Sequence, residues 1–219
     1  MPCYNEEQVL SQLYQRVTNV CKDVNMPYEL ILVDDGSKDR TWHLIYEITK
    51  TDPSVVGVSL SRNHGHQLAL SAGLRVCSGE RILILDADLQ DPPELLPEML
   101  RLMDEGADVV YGKRTKRHGE TLLKKLTAVL FYRLLNLLTD IDIPRDTGDF
   151  RLITRRVMGV LNNMPENLRF IRGMVTWTGF NHVPLHYERE ERFTGKTKYT
   201  FKKMSQFAFA PITSFEIRP

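Results

Sequence analysis

Apolar residues recur with a helical period at Val9, Leu10, Leu13, Val17 and Val20, and Asn5 stands where it can cap that helix. Tyr28 to Val33 is a short, mostly apolar run that stops at Asp34-Asp35-Gly36, which predicts a buried strand ending in a turn. The pattern then alternates: a helix over Arg40 to Lys50, a strand over Val55 to Leu60, a helix over His66 to Cys77 weakened by Gly73, and a strand over Arg81 to Leu85. Pro92-Pro93 opens a helix through Leu95, Leu96, Met99, Leu100 and Met103, with Asp91 as its cap, and Asp108 to Tyr111 reads as another strand. Strands alternating with helices predict an α/β fold, a mostly parallel sheet covered on both faces. Ligands of such sheets bind beyond the carboxyl ends of the strands, where Asp34-Asp35 and Asp86/Asp88 fall.

After Gly112 the pattern changes. Leu122 to Leu138 is apolar along one side and interrupted by Lys124, Lys125 and Arg133; Phe201 to Phe215 is similar, with Lys202 and Lys203 at its start. Both predict basic amphipathic helices able to lie in a membrane interface, although packing on the core is the commoner use of such a helix.

The chain has 219 residues and a net charge of +1, which suits one α/β domain and excludes a typical nucleic-acid binder. Charge is unevenly spread: Tyr111 to Arg133 holds seven Lys/Arg against Glu120, and Arg192 to Lys203 holds five Lys/Arg and no acid. Either segment is a surface for anionic partners or a solvated helix face. Cys3, Cys21 and Cys77 lack metal-ligand spacing and predict reduced thiols on the cytosolic side. No apolar run reaches the roughly 18 residues that a membrane span needs.

In Asp86-Ala87-Asp88-Leu89-Gln90, an extended backbone would turn Asp86, Asp88 and Gln90 the same way. Two carboxylates and an amide oxygen suit Mg²⁺ or Mn²⁺, with phosphate oxygens completing the shell. Asp34-Asp35-Gly36-Ser37 follows another strand, where a carboxylate can accept from a base N–H or a ribose hydroxyl; turn chemistry is the simpler alternative. Gly195-Lys196-Thr197 is not a P-loop, since Glu190 stands where the first glycine is required, and no G-x-G-x-x-G follows a strand. His64 and His66 fit a loop contact or solvent exposure better than a metal site; His182, His186, Trp42 and Trp177 read as structural, the tryptophans as core.

Taken together, Pro2 to Glu7, Val33 to Ser37, Arg62 to Gly65, Asp86 to Glu94 (DADLQDPPE), Gly148 to Leu152 and Gly195 to Tyr199 resemble family 2 glycosyltransferases of the GT-A, Rossmann-like fold, across nearly the whole chain. Within that family the chain is most similar to the polyisoprenyl-phosphate group, bactoprenol glucosyltransferases first and dolichol-phosphate mannose synthases second; Arg169 to Gly179 favours the former. The resemblance implies inverting transfer of a hexose, glucose before mannose, from a UDP- or GDP-sugar to a polyprenyl phosphate at the cytoplasmic membrane face. It assigns Pro2, Tyr4, Glu6, Asp35, Asp86 and Arg114 to the nucleotide-sugar, and Asp86, Asp88 and Gln90 to Mg²⁺ or Mn²⁺. Asp149 and Asp88 become the catalytic carboxylates, with Asp146 a second candidate for the place of Asp149, and Arg192 and Lys198 meet the acceptor phosphate. Residues 1–120 become the donor half of the domain, 121–200 the acceptor half and 201–219 a juxtamembrane segment. Relatives start with a buried strand ahead of this Pro-Cys-Tyr-Asn and continue into membrane-spanning helices, so the resemblance implies a chain clipped at both ends, and it admits a homo-oligomer.

Overall fold

The computed structural model describes residues 1–115, 147–166 and 169–189. Along the chain these form β1 (Pro2–Cys3), α1 (Leu10–Val24), β2 (Leu30–Asp34), α2 (Thr41–Thr51), β3 (Val55–Ser59), α3 (His66–Val76) and β4 (Arg81–Ile84). A 3-10 turn (Pro93–Leu95) leads into α4 (Leu96–Asp104), followed by β5 (Val109–Arg114), β6 (Thr147–Thr154), α5 (Arg155–Asn163), α6 (Ile171–Trp177) and β7 (His182–Tyr187). The expected strands and helices up to β5 all form, with ends displaced by a few residues.

Strands β1, β2 and β3 pair in parallel, in that order. The other four lie in the order β4-β6-β5-β7, in which β5 and β7 are parallel while β6 runs against both its neighbours. Period-two alternation divides the core between the two faces. Leu30, Leu32, Val110 and Leu152 pack with Leu10, Leu13, Ile45 and Met99 of α1, α2 and α4. Val109 and Ile153 pack with Leu70, Val157, Ile171 and Met174 of α3, α5 and α6, and Ile31 and Val33 meet Ala69 of α3. Helices therefore cover both faces, and one cluster, from Cys3 to Tyr187, runs beneath both sets of strands.

Local sequence explains the elements. In α1, Leu10, Leu13, Val17 and Val20 form the buried stripe, and the helix stops at Asn25, left-handed at φ 54°, whose N–H returns to Lys22 O. Gly73 does not weaken α3 without return: a Cβ there would stand 3.2 Å from Val33 Cγ2, so its absence lets the helix lie close on β2. Asn5, by contrast, is no cap. The backbone is left-handed there (φ 51°), which turns Oδ1 to accept from Lys38 N at 2.8 Å, and α1 begins after Val9 with no side-chain cap. Trp177 is not core either and is 60% exposed. Ile171, Met174 and Val175 supply the buried side of α6, and position 177 falls off that stripe.

The helices expected over Leu122–Leu138 and Phe201–Phe215, the Gly195–Tyr199 motif, Asp146, Arg192 and Lys198 lie outside the described residues. Among the described residues, no helix is long and apolar enough to cross a membrane.

Candidate active site

The strand ends do carry the acids. Asp34 is the last residue of β2, and Asp86 follows β4 by two. Asp35 N donates to Cys3 O at 2.9 Å, which ties the exits of β1 and β2 together beside half-buried Tyr4. Asp34 accepts from Ser37 N, and Asp35 accepts from His64 N at 2.7 Å and Gly65 N at 2.9 Å. Both carboxylates are buried, so in this state Asp35 holds the loop that delivers α3. That loop crosses Gly36 so closely that a Cβ there would lie 2.4 Å from the Arg62 carbonyl carbon. Pro2 is buried in β1, and the Glu6 backbone N–H donates to Thr41 Oγ1 at 2.8 Å.

The segment after β4 does not stay extended. Residues 87–89 turn, with Leu89 at φ 60°, so side chains two apart no longer share a face. Asp86 and Asp88 consequently take different partners. Asp86 faces His66 at the start of α3, with Oδ1 3.4 Å from Nε2, and the same nitrogen lies 3.0 Å from Asp149 Oδ2 on β6. Asp88 Oδ1 accepts from Gln90 N at 3.2 Å, and its Oδ2 lies 3.6 Å from the Arg189 guanidinium.

One ligand atom from each of His66, Asp86 and Asp149 lies within 4.8 Å of the others. Around them, Gln67 Nε2 donates to Asp149 Oδ2 at 3.0 Å, Arg172 comes within 3.5 Å of Asp149 Oδ1, and buried Arg151 donates to the carbonyls of Gly148 and Asp149. Burial alone would lower the His66 imidazole, but its bond to Asp149 and the charges of Asp86 and Asp149 outweigh this and hold it up at about 9. Burial raises Asp86 to about 6, and Asp149, Asp91 and Asp88 add to the rise while His66 opposes it. Burial would also raise Asp149, yet Arg172, His66 and Arg151 together hold it well below the usual carboxylate range.

Asp86 Oδ1 and Asp149 Oδ1 are both buried with no hydrogen-bond partner. Two such oxygens in one cluster with an imidazole nitrogen are a donor set that fits a divalent cation such as Mg²⁺ or Mn²⁺. In the chain alone, the His66 ring stands between the two carboxylates, with Nε2 toward Asp86 Oδ1 and Asp149 Oδ2.

A second network adjoins the first. Asp91 is buried and caps nothing. Its Oδ1 accepts from Tyr187 Oη and lies 3.6 Å from Arg114 and 3.3 Å from Arg189, because the pairing of β5 with β7 brings these residues over it. Arg114 Nε also donates to Tyr187 Oη at 3.3 Å. Gly148 leaves room for this guanidinium, since a Cβ there would meet Arg114 Nη2 at 2.5 Å.

The structure thus brings Asp86, Asp149 and Arg114 to one rim. Asp88 and Gln90 border it, and Pro2, Tyr4, Glu6 and Asp35 stand at the adjoining strand ends. Reasoning from sequence weighed a metal role for His66 and set it aside, whereas the structure puts the ring between Asp86 and Asp149; it missed Gln67, Arg172 and Arg189. The signal for Gln67 was its place in the opening turn of a helix that follows a strand.

Comparison with known proteins agrees with this architecture. The family described as Glycosyl transferase family 2 matches residues 1–161. The chain is 48% identical over 219 residues to the uncharacterized glycosyltransferase YkcC of Bacillus subtilis (strain 168), covering all of this chain and 68% of that protein. It is 37% identical to a prophage bactoprenol glucosyl transferase homolog of Escherichia coli (strain K12), covering 100% of this chain and 72% of that one. Among solved structures, mannosyl-3-phosphoglycerate synthase from Rubrobacter xylanophilus superposes with a TM-score of 0.62 at 18% identity, over 97% of this chain and 70% of that one. The mannosyltransferase PcManGT from Pyrobaculum calidifontis, in complex with GDP-Man and Mn²⁺, gives 0.60 at 20% identity, over 96% and 66%. The two structures carry the fold, a GT-A, Rossmann-like domain, and the sequence relatives and family match carry the identity: the chain belongs to glycosyltransferase family 2.

Proposed function

We propose that the chain transfers a hexose, glucose in the first instance, from a nucleoside diphosphate sugar to a polyprenyl phosphate at the cytoplasmic face of a membrane. One observation carries the chemistry: two buried carboxylates, Asp86 and Asp149, each keep an oxygen without a hydrogen-bond partner in a single cluster at the strand ends. The choice of sugar and lipid is supported by the relatives named bactoprenol glucosyl transferase, 36–37% identical over the whole chain. Neighbours of the same fold solved with UDP, UDP-GlcNAc or GDP-Man support a nucleotide-sugar donor.

On this reading Pro2, Tyr4, Glu6 and Asp35 frame the nucleotide at the exits of β1 and β2, and Arg114 meets its diphosphate. Asp86 and Asp149, with His66, Asp88 and Gln90 around them, hold Mg²⁺ or Mn²⁺. When bound, the ion offsets the charge that grows on the departing diphosphate. The acceptor phosphate needs no proton removed to become a nucleophile, since a phosphate monoester has a second pKa near ~6. Its oxygen attacks the anomeric carbon from one side as the bond to the diphosphate breaks on the other. Asp149, ionised throughout the neutral range, is placed to orient the sugar or to face the positive charge that develops at that carbon. Residues 121–200, including Arg192 and Lys198, serve the acceptor, and 201–219 lie next to the membrane.

The test is a screen of UDP- and GDP-sugars against a polyprenyl phosphate, with and without Mn²⁺, read as sugar-lipid formed and nucleotide released. The expected product is a glucosyl lipid from UDP-glucose. Mannosyl lipid from GDP-mannose would overturn the assignment of the sugar, and binding with no turnover of any pair would reduce the chain to a nucleotide-sugar sensor.

A further inference from the structure

Gln67, in the first turn of α3, joins two elements distant in sequence. Its Nε2 donates to Asp149 Oδ2 at 3.0 Å, and its Oε1 accepts from the backbone N–H of Ile171 at 2.9 Å. The orientation of the amide follows from its partners. A carboxylate can only accept and a backbone N–H can only donate, so the flipped amide would break both bonds.

We infer that Gln67 is a positioning residue for sugar transfer: one amide fixes which oxygen of Asp149 is presented to the reacting centre and anchors the helix start that brings Arg172 to that oxygen. The inference rests on the reading above, in which Asp149 works beside the anomeric carbon.

Gln67 and His66 both hold Oδ2, which leaves Oδ1 as the buried oxygen without a hydrogen bond. Ile171 is the first residue of α6 and is 1% exposed, so its N–H has no water to fall back on. The next residue, Arg172, places its guanidinium 3.5 Å from Oδ1. Rotation of the Asp149 carboxylate and displacement of Arg172 are therefore resisted by the same side chain. Groups that orient a ligating or reacting carboxylate typically matter by about 10–100-fold when removed.

Two variants of similar length separate the two bonds. Gln67→Met removes both. Gln67→Glu keeps an acceptor for Ile171 but sets a carboxylate against Asp149. Each is assayed with whichever donor and acceptor the wild type turns over in the screen, so a wrong sugar or lipid leaves this test intact. Gln67→Met is expected to lower kcat about 10–100-fold while the donor KM changes by less than roughly threefold, the split expected when only the transition state loses a contact. Gln67→Glu should lose at least as much kcat despite its retained anchor, and it carries the test if Gln67→Met does not fold. A kcat within twofold of wild type in either folded variant would overturn the inference. So would a raised KM with kcat intact, which is what a merely structural side chain would give.

Discussion

Nε2 of His66 lies 3.0 Å from Oδ2 of Asp149, which joins the first residue of α3 to a buried carboxylate on β6. With Asp86 on its other side, the ring is held protonated up to about 9 against an ordinary value of 6.5. It is one of the site's cations, beside the guanidiniums of Arg172 and Arg151.

This sets a pH dependence with a definite sign. The imidazole binds its proton more tightly folded than unfolded, so its contribution to stability is complete below pH 6.5 and is lost as pH rises through about 9. In metal-free buffer, the melting temperature of the wild type should fall between pH 7 and pH 10 more steeply than that of His66→Gln. Parallel slopes in the two proteins would mean that the ring carries no such charge.

The different partners of Asp86 and Asp88 separate two kinds of metal binding. Mn²⁺ alone should bind the wild type, bind Asp88→Ala nearly as well, and be lost in Asp86→Ala, because the cluster of His66, Asp86 and Asp149 is complete without Asp88. Metal-dependent binding of the donor should be lost in both variants. Calorimetry with Mn²⁺ alone and then with the donor distinguishes the steps, and equal loss of ion binding in the two variants would favour convergence of Asp86, Asp88 and Gln90.

Asp91 is the counter-ion of two guanidiniums. Asp91→Asn keeps the shape but leaves Arg114 and Arg189 facing one another around a neutral amide. Both arginines retain some water, with side-chain exposures of 19% and 27%, so the expected loss is about 1–3 kcal/mol rather than that of a fully buried charge. Urea unfolding measures it, and an unchanged midpoint would remove Asp91 from the framework of the site.

The strand ends were legible because apolar runs end abruptly at acids: Val33 before Asp34, and Leu85 before Asp86. Helix faces were legible where the apolar period is long, as in α1. The grouping of the acids was not. The expectation for Asp86, Asp88 and Gln90 presumed an extended backbone, whereas the chain turns there with Leu89 left-handed, a conformation that leucine gives no reason to expect. Asp91 looked like a cap because Pro92-Pro93 follows it, whereas its partners come from β5 and β7, whose pairing leaves no local trace. The roles of His66 and Gln67 depend on β6 running antiparallel beside β4, a reversal that alternation of strands and helices does not announce.

That reversal also governs the stretch between β5 and β6. Because β6 runs against β5, Lys113 at the exit of one strand pairs with Thr147 at the entrance of the next, and Thr115 N is tied to Tyr187 O at 3.0 Å. The polypeptide leaves the described fold and re-enters it at the same rim, beside Arg114 and Asp149. Thr115 and Thr147, the two described ends of this connection, therefore both stand at the mouth of the site. The rim they share rests on a packed layer that includes Val110, Phe150 and Leu152.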